Sequence, residues 1–278
     1  MVLPDGFPRD VAAFACDLDR TLIADDFVLR PRTVAAIAAA RAAGIRVLVA
    51  TGRMFRSVRP YLREAGVADP VVCYQGAAVA DPESGRFLRH EPIPLETARE
   101  AIAALESEGY SPNTYLDDEL YVAAVTAEAR RYADIQHLPL HPVGDLLAWL
   151  EAPPTKLVAI GDPHALDGVE ARMKARFDGR LYISKSLPYF LEFANPDVTK
   201  GSGMAFVAAH LGLHPGGVVA FGDGENDVEL LQWAGYAVAV ANAHERLLEL
   251  ADFVCPPASE EGVAQVIEAY VTGLDSGS

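Results

Sequence analysis

The sequence predicts an α/β protein: a Rossmann-like core with a parallel sheet, carrying an inserted α/β domain. Three observations point there. Short apolar runs alternate with helix-patterned segments in the first quarter of the chain and again in the last third, the pattern of strands joined through crossover helices. The stretch between loses that alternation and gathers prolines at Pro139, Pro142, Pro153 and Pro154. Acidic and glycine-containing segments stand just beyond the ends of several apolar runs, where open parallel sheets carry their ligands.

Taken in order, residues 11–18 (VAAFACDL) form a buried strand, 33–43 a helix opened by Pro31 and stopped at Gly44, and 45–50 a second strand. A helix at 54–65 ends at Gly66, and 71–74 is a third strand. The turn at 81–85 (DPESG) suits a hairpin. Further on, 95–108 is helical, 113–116 and 120–125 are paired strands, and strands at 156–160 and 181–184 flank a helix at 164–176. The alternation resumes with helix 201–211, strand 217–221, helix 225–233, strand 236–240, helix 244–250, strand 252–255 and helix 261–271. The expected division is 1–91 for the first part of the core, 92–189 for the insertion and 190–278 for the rest.

Composition narrows the function. The 278 residues are 51% hydrophobic and 22% charged, enough apolar material for a sizeable core. A formal net charge of −16 argues against nucleic acid and anionic membrane surfaces as partners. Any anion site must therefore be made positive locally, by a metal, a few cations or helix N-termini. Cys16, Cys73 and Cys255 form no CxxC pair, so neither a zinc site nor a disulfide framework is indicated. The opening MVLPDGFPRD has no signal-peptide pattern and no apolar run is long enough to span a membrane. A cytoplasmic protein is expected.

Four segments carry chemistry. Asp17-Leu18-Asp19-Arg20-Thr21 ends the first strand. Two carboxylates two residues apart share a face of an extended run and repel unless a cation intervenes or one is protonated. Gly222-Asp223-Gly224-Glu225-Asn226-Asp227 follows another buried strand and offers only oxygen ligands, suited to a hard cation such as Mg²⁺. A GDGxND spelling arises by chance in well under about one chain in a thousand. Thr51-Gly52-Arg53, after the second strand, offers a hydroxyl and free N–H groups to a phosphate oxygen, although a threonine N-cap with a glycine turn reads the same way. Lys200 is one of only four lysines and opens a helix, where its charge opposes the dipole; a partner in the acidic cluster would explain it. A parallel sheet brings all four segments to one edge.

In these motifs, their order and spacing, the chain resembles the haloacid dehalogenase superfamily, and within it the Cof-type phosphatases with an α/β cap inserted after the third core strand. Gln75-Gly76-Ala77, Val238–Ala243 and Glu260-Glu261-Gly262-Val263 extend the resemblance over nearly the whole chain. It implies a phosphomonoesterase for a small phosphorylated metabolite, sugar phosphates leading, that works through an aspartyl phosphate. By that resemblance Asp17 is the nucleophile and Asp19 the general acid and then base. Mg²⁺ would be held by Asp17, the backbone carbonyl of Asp19 and Asp223, with Asp227 and Asn226 supporting that site or the substrate. Thr51, Gly52, Arg53 and Lys200 would hold the phosphoryl group. Arg20 stands where the family usually has glycine, and Gln75 where it usually has asparagine.

Two other readings use the same residues. A sugar phosphomutase would return the phosphate to its substrate, and a receiver-like phospho-switch would hold it without turnover. Dehalogenase chemistry needs neither Asp19 nor the acidic cluster. Within the insertion, Tyr115, Asp117, Lys185 and Tyr189 are candidate contacts to the rest of the substrate.

Overall fold

The computed structural model describes residues 1–276. Five strands open a first sheet: β1 (Ala13–Asp17), β2 (Arg46–Ala50), β3 (Val71–Cys73), β4 (Ala78–Ala80) and β5 (Phe87–His90). A second sheet follows, with β6 (Asn113–Leu116), β7 (Glu119–Val122), β8 (His141–Pro142), β9 (Lys156–Ile160), β10 (Tyr182–Leu187) and β11 (Phe190–Ala194). The chain then returns to complete the first sheet with β12 (Val218–Gly222), β13 (Tyr236–Val240) and β14 (Phe253–Cys255). The first half carries helices α1 (Pro31–Ala42) and α2 (Phe55–Ala65). The insertion carries α3 (Leu95–Ser107), α4 (Ala127–Gln136), α5 (Leu146–Trp149) and α6 (Pro163–Arg176). The return carries α7 (Lys200–Leu211), α8 (Val228–Trp233), α9 (Glu245–Leu250) and α10 (Gly262–Ser276).

The first sheet runs β14-β13-β12-β1-β2-β3-β4-β5, parallel from β14 to β3 and antiparallel through β4 and β5. Every residue of β1 is buried, as a central strand covered on both faces requires. Alternate side chains go to opposite faces. Phe14, Cys16, Val47 and Val49 meet Ile37, Leu62 and Ile267 of α1, α2 and α10. Ala13, Ala15, Leu48 and Ala50 meet Met204, Leu231 and Leu247 of α7, α8 and α9. The alanines let the second helical layer come close. Strands β2 and β12 leave β1 in opposite directions, so a crevice opens beyond its C-terminal end, at Asp17.

The second sheet runs β10-β11-β9-β6-β7-β8. One face is covered by α3 and α6, through Ile102, Leu105, Leu166 and Val169 against Leu157 and Phe193. The other face turns toward the first sheet, and its Tyr115, Val158 and Phe190 join the core of that sheet. The two chain crossings lie side by side, for the Asn195 side-chain amide donates to the Pro92 carbonyl at 3.1 Å.

Strand β11 corrects the expected boundary at 189. Phe190–Ala194 pairs with β10 and β9, so it belongs with the insertion. Its central Glu192 sits among apolar neighbours in FLEFA and hides an otherwise strand-like run. Helix α4 was also missed, because 127–136 is strongly charged. The expected helix at 225–233 is a 3₁₀ turn at Glu225–Asp227 followed by α8.

Two glycines set the loops around the crevice. Gly76 has φ 107°, and a Cβ there would lie 2.1 Å from the Thr199 carbonyl oxygen. It lets the Tyr74–Gly76 turn back directly onto the start of α7, where Thr199 and Ser202 form a reciprocal capping box with both bonds at 3.0 Å. Gly201 lies against α8, and a Cβ would meet the Glu229 carbonyl oxygen at 2.3 Å. Alanine would gain about 1 kcal/mol of helix propensity, but the clash is with backbone and cannot be relieved by a rotamer. Gly201→Ala is therefore expected to lose about 1–3 kcal/mol net in chemical denaturation. Unchanged stability would mean that α7 and α8 are not held this closely.

Candidate active site

Asp17 is the last residue of β1, Gly222 the last of β12, and Lys200 the first of α7. Their convergence buries Asp17, Asp223, Asp227 and Lys200 together. The Lys200 ammonium donates to Asp17 Oδ1 at 2.5 Å and to Asp227 Oδ1 at 2.6 Å. Asp227, fully buried, also accepts the backbone N–H groups of Asp223 and Gly224 at 3.0 Å each through Oδ2. It thus fixes its own loop and the lysine at once. Segments more than 180 residues apart in sequence share one buried hydrogen bond, since Lys200 and Asp17 stand 183 positions apart.

Asp19 does not join that cluster through its side chain. Arg53 holds both its oxygens, at 2.8 and 2.6 Å, and the Arg53 guanidinium lies over the rings of Phe27 and Tyr61. Arg53 is buried, and its guanidinium is paired with Asp19. Thr51 is fully buried, and its hydroxyl oxygen accepts the Arg53 backbone N–H at 3.1 Å. The Asn226 amide donates to Gln75 Oε1 at 3.0 Å.

Arg20, at φ 61°, takes the left-handed backbone that a glycine would adopt freely. Its side chain reaches Asp223 at 3.3 Å and Asp25 at 3.5 Å. Asn242 secures the turn by donating to the Arg20 carbonyl at 2.9 Å. Gln75, also in left-handed backbone at φ 60°, is buried and donates to Glu192 Oε2 at 3.3 Å.

Sequence reasoning missed the residues that the second sheet brings here. Lys156 Nζ donates to the Gly52 carbonyl at 2.9 Å and to Glu192 Oε2 at 3.2 Å, and both side chains are buried. The signal was a charge in each of two apolar strands, KLVAI and FLEFA, since a charge there needs a partner to be tolerated. Of the four candidates in the insertion, Tyr115 is buried on the face toward the core. Asp117 is exposed at a turn. Lys185 is tied to Asp167 and Glu170 of α6, away from that face. Tyr189 is exposed at the mouth of a cavity in the insertion.

The electrostatics fit a cation. Carboxylate oxygens of Asp17, Asp223 and Asp227 lie within 4.8 Å of one another, with one ammonium among them. Burial, then the charge of Asp227, pushes Asp17 well above the usual carboxylate range, against the pull of Lys200. Burial and Asp227 likewise push Asp223 up to about 7, with Arg20 and Lys200 opposing. Burial disfavours the Lys200 ammonium, but Asp17 and Asp227 outweigh it and hold its proton above the usual lysine range. Three carboxylates around one lysine are under-compensated, and an all-oxygen donor set of this kind suits a hard divalent cation.

The family model described as haloacid dehalogenase-like hydrolase matches residues 14–267. A phosphoglycolate phosphatase of Archaeoglobus fulgidus is 30% identical over 259 residues, spanning 92% of this chain and 95% of its own. The pyridoxal phosphate phosphatase YbhA of Escherichia coli is 26% identical over 266 residues, spanning 92% and 97%. Among solved structures, a haloacid dehalogenase-like hydrolase from Bacteroides thetaiotaomicron matches with a TM-score of 0.84 at 25% identity, covering 93% of this chain and 98% of that one.

The raised carboxylates have a measurable consequence. The metal-free fold favours the protonated forms, so their contribution to stability is full below about pH 3.9, the unfolded value. It is lost as the pH rises through about 7. The Tm of chelator-treated protein should therefore fall more between about pH 5 and about pH 8 than that of Asp223→Asn. A divalent cation such as Mg²⁺ binds the ionised carboxylates, so it should raise Tm more at about pH 8 than at about pH 5. An equal gain at both would contradict a cation held by these groups.

Proposed function

The chain belongs to the haloacid dehalogenase-like hydrolases, and from that membership and the Asp17 pocket we propose that it is a Mg²⁺-dependent phosphatase hydrolysing a small phosphorylated metabolite through an aspartyl phosphate. The observation that carries this reading is the Lys200 ammonium held between Asp17 and Asp227, 2.5 and 2.6 Å from their oxygens, in a buried pocket that Asp223 completes. A carboxylate cannot approach a phosphate dianion unless cations offset the repulsion. Lys200 is one such cation, already in place beside the nucleophile.

A free oxygen of Asp17 attacks phosphorus, and the bond to the leaving oxygen breaks as that oxygen takes a proton from Asp19. The product alcohol departs. Water then attacks the acyl phosphate, giving its proton to Asp19, and releases inorganic phosphate with Asp17 restored. Dividing the reaction in two replaces one difficult displacement with two easier ones. The carboxylates of Asp17 and Asp223 and the backbone carbonyl of Asp19 would hold Mg²⁺, with Asp227 supporting them. When bound, the ion offsets charge on the phosphoryl oxygens.

Thr51 and the loop N–H groups face the same oxygens from the β2 side. Arg53 occupies both oxygens of Asp19, so an entering phosphate draws Arg53 from at least one of them. That exchange frees Asp19 for proton transfer and gives Arg53 the phosphate-binding part expected of it. The insertion closes the site, because Lys156 and Glu192 reach the Gly52 carbonyl and Gln75. Sugar phosphates are the first class to screen, on resemblance alone.

Release of inorganic phosphate from a panel of monophosphates, with no activating bisphosphate, tests the reading and separates it from a mutase. Asp17→Asn and chelation should each reduce turnover by at least about a thousandfold. Lys200→Ala should cost roughly a hundredfold or more in kcat. Turnover by Asp17→Asn within about tenfold of the parent would remove the proposal.

A further inference from the structure

Arg20 has no part in the chemistry above, although it follows Asp19 directly in the chain. Its left-handed backbone, at φ 61°, is free for glycine and strained for a residue with a long side chain. The backbone is tied down all the same. The Asn242 amide donates to the Arg20 carbonyl at 2.9 Å, while the Asn242 side-chain oxygen accepts the Ala258 backbone N–H at 2.8 Å. The guanidinium therefore starts from a fixed point beside the carboxylate cluster.

Its three nitrogens go to three different partners. Nη1 lies 3.3 Å from Asp223 Oδ2 and Nε lies 3.5 Å from Asp25 Oδ1, while Nη2 donates to the Asn242 carbonyl at 3.4 Å. The first partner is buried in the cluster; Asp25 is exposed on the solvent side. Lys200 is the contrast. Its side chain is 1% exposed and its bonds to Asp17 and Asp227 are short, at 2.5 and 2.6 Å. The cluster thus has one cation fixed by short buried bonds, and a second, 41% exposed, resting on long contacts that exchange readily. The second still bears on its carboxylate. Of the two cations that favour ionised Asp223, Arg20 acts more strongly than Lys200.

We infer that Arg20 is an exchangeable counterion of Asp223, in direct competition with the divalent cation. A cation held by Asp17, Asp223 and Asp227 draws on the charge of the same carboxylate and repels a guanidinium placed against it. When Nη1 lets go, Asp25 and the Asn242 carbonyl retain the rest of the side chain. Arg20 thereby weakens the affinity of the cluster for the cation and sets the concentration at which the site fills. It is a positioning residue for Asp223, and it acts through that carboxylate. The inference rests on the reading that these three carboxylates hold a divalent cation.

The test is a Mg²⁺ titration of chelator-treated protein at about pH 8, followed as the rise in Tm, for the parent and Arg20→Asn. Asparagine accepts left-handed backbone and carries no charge, so it removes the guanidinium without adding strain. Arg20→Asn should lower the apparent Kd for Mg²⁺ by about fivefold. A double-mutant cycle separates direct pairing from the general field of a nearby charge. In chelator-treated protein, Arg20→Asn should lower Tm more in the parent background than in Asp223→Asn. The same apparent Kd in the parent and Arg20→Asn would overturn the inference and leave the cation site standing, as would the same change in Tm in both backgrounds. No Mg²⁺-dependent rise in Tm in either protein would overturn the inference and the cation site together.

Discussion

One buried ammonium organises the crevice. Lys200 is bonded to Asp17 at the end of β1 and to Asp227 at the start of α8, and it sits where α7 begins against the Gly76 turn. Each bond joins elements that meet nowhere else in sequence. Burying one positive group among three carboxylates is costly by itself, and a divalent cation held by the three carboxylates would offset that cost. The same imbalance makes the cluster a fitting place for a hard divalent cation. The architecture of the crevice therefore rests on an excess of buried carboxylates over the one ammonium among them.

Much of this was legible in the chain. The alternation of strands and helices placed β1, β2, β12 and β13 nearly to the residue, because strands buried on both faces are continuous apolar runs. The DLDRT and GDGEND segments announced the pocket, since carboxylates at that density need a reason to be together. What the chain did not show were contacts made by long-range pairing. That Arg53 clasps Asp19 depends on two loops 34 residues apart, and that Gln75 bridges Asn226 and Glu192 depends on backbone at positive φ. Phe190–Ala194 was misassigned because its glutamate interrupts the apolar pattern. The glutamate is tolerated only because Lys156, on the neighbouring strand, answers it.

The insertion therefore does more than cover the crevice. Its buried Lys156–Glu192 pair is completed by groups of the core, the Gly52 carbonyl and the Gln75 amide. Around it, Ser57 bonds the Gln136 carbonyl, Tyr74 bonds Asp118 at 2.7 Å and Arg56 pairs with Glu119. These contacts all fall on the segments after β2 and β3, the side that presents Thr51 and Arg53. Segments after β1 and β12 keep their own bonding, through Lys200, Arg20 and Asn242. The Asp17–Asp223–Asp227 cluster is thus built by the core alone, and the loops after β2 and β3 are completed by the insertion.

The meeting of Pro92 with Asn195 bears on how such a chain could diversify. Seen from the core, roughly a hundred residues form a loop whose two ends already touch. Closing a loop costs free energy that grows only with the logarithm of its length, so the excursion can lengthen, shrink or be replaced at little expense to the sheet that hosts it. Scaffold and excursion are then free to change at different rates, the one held by its sheet and the other tethered at two touching ends.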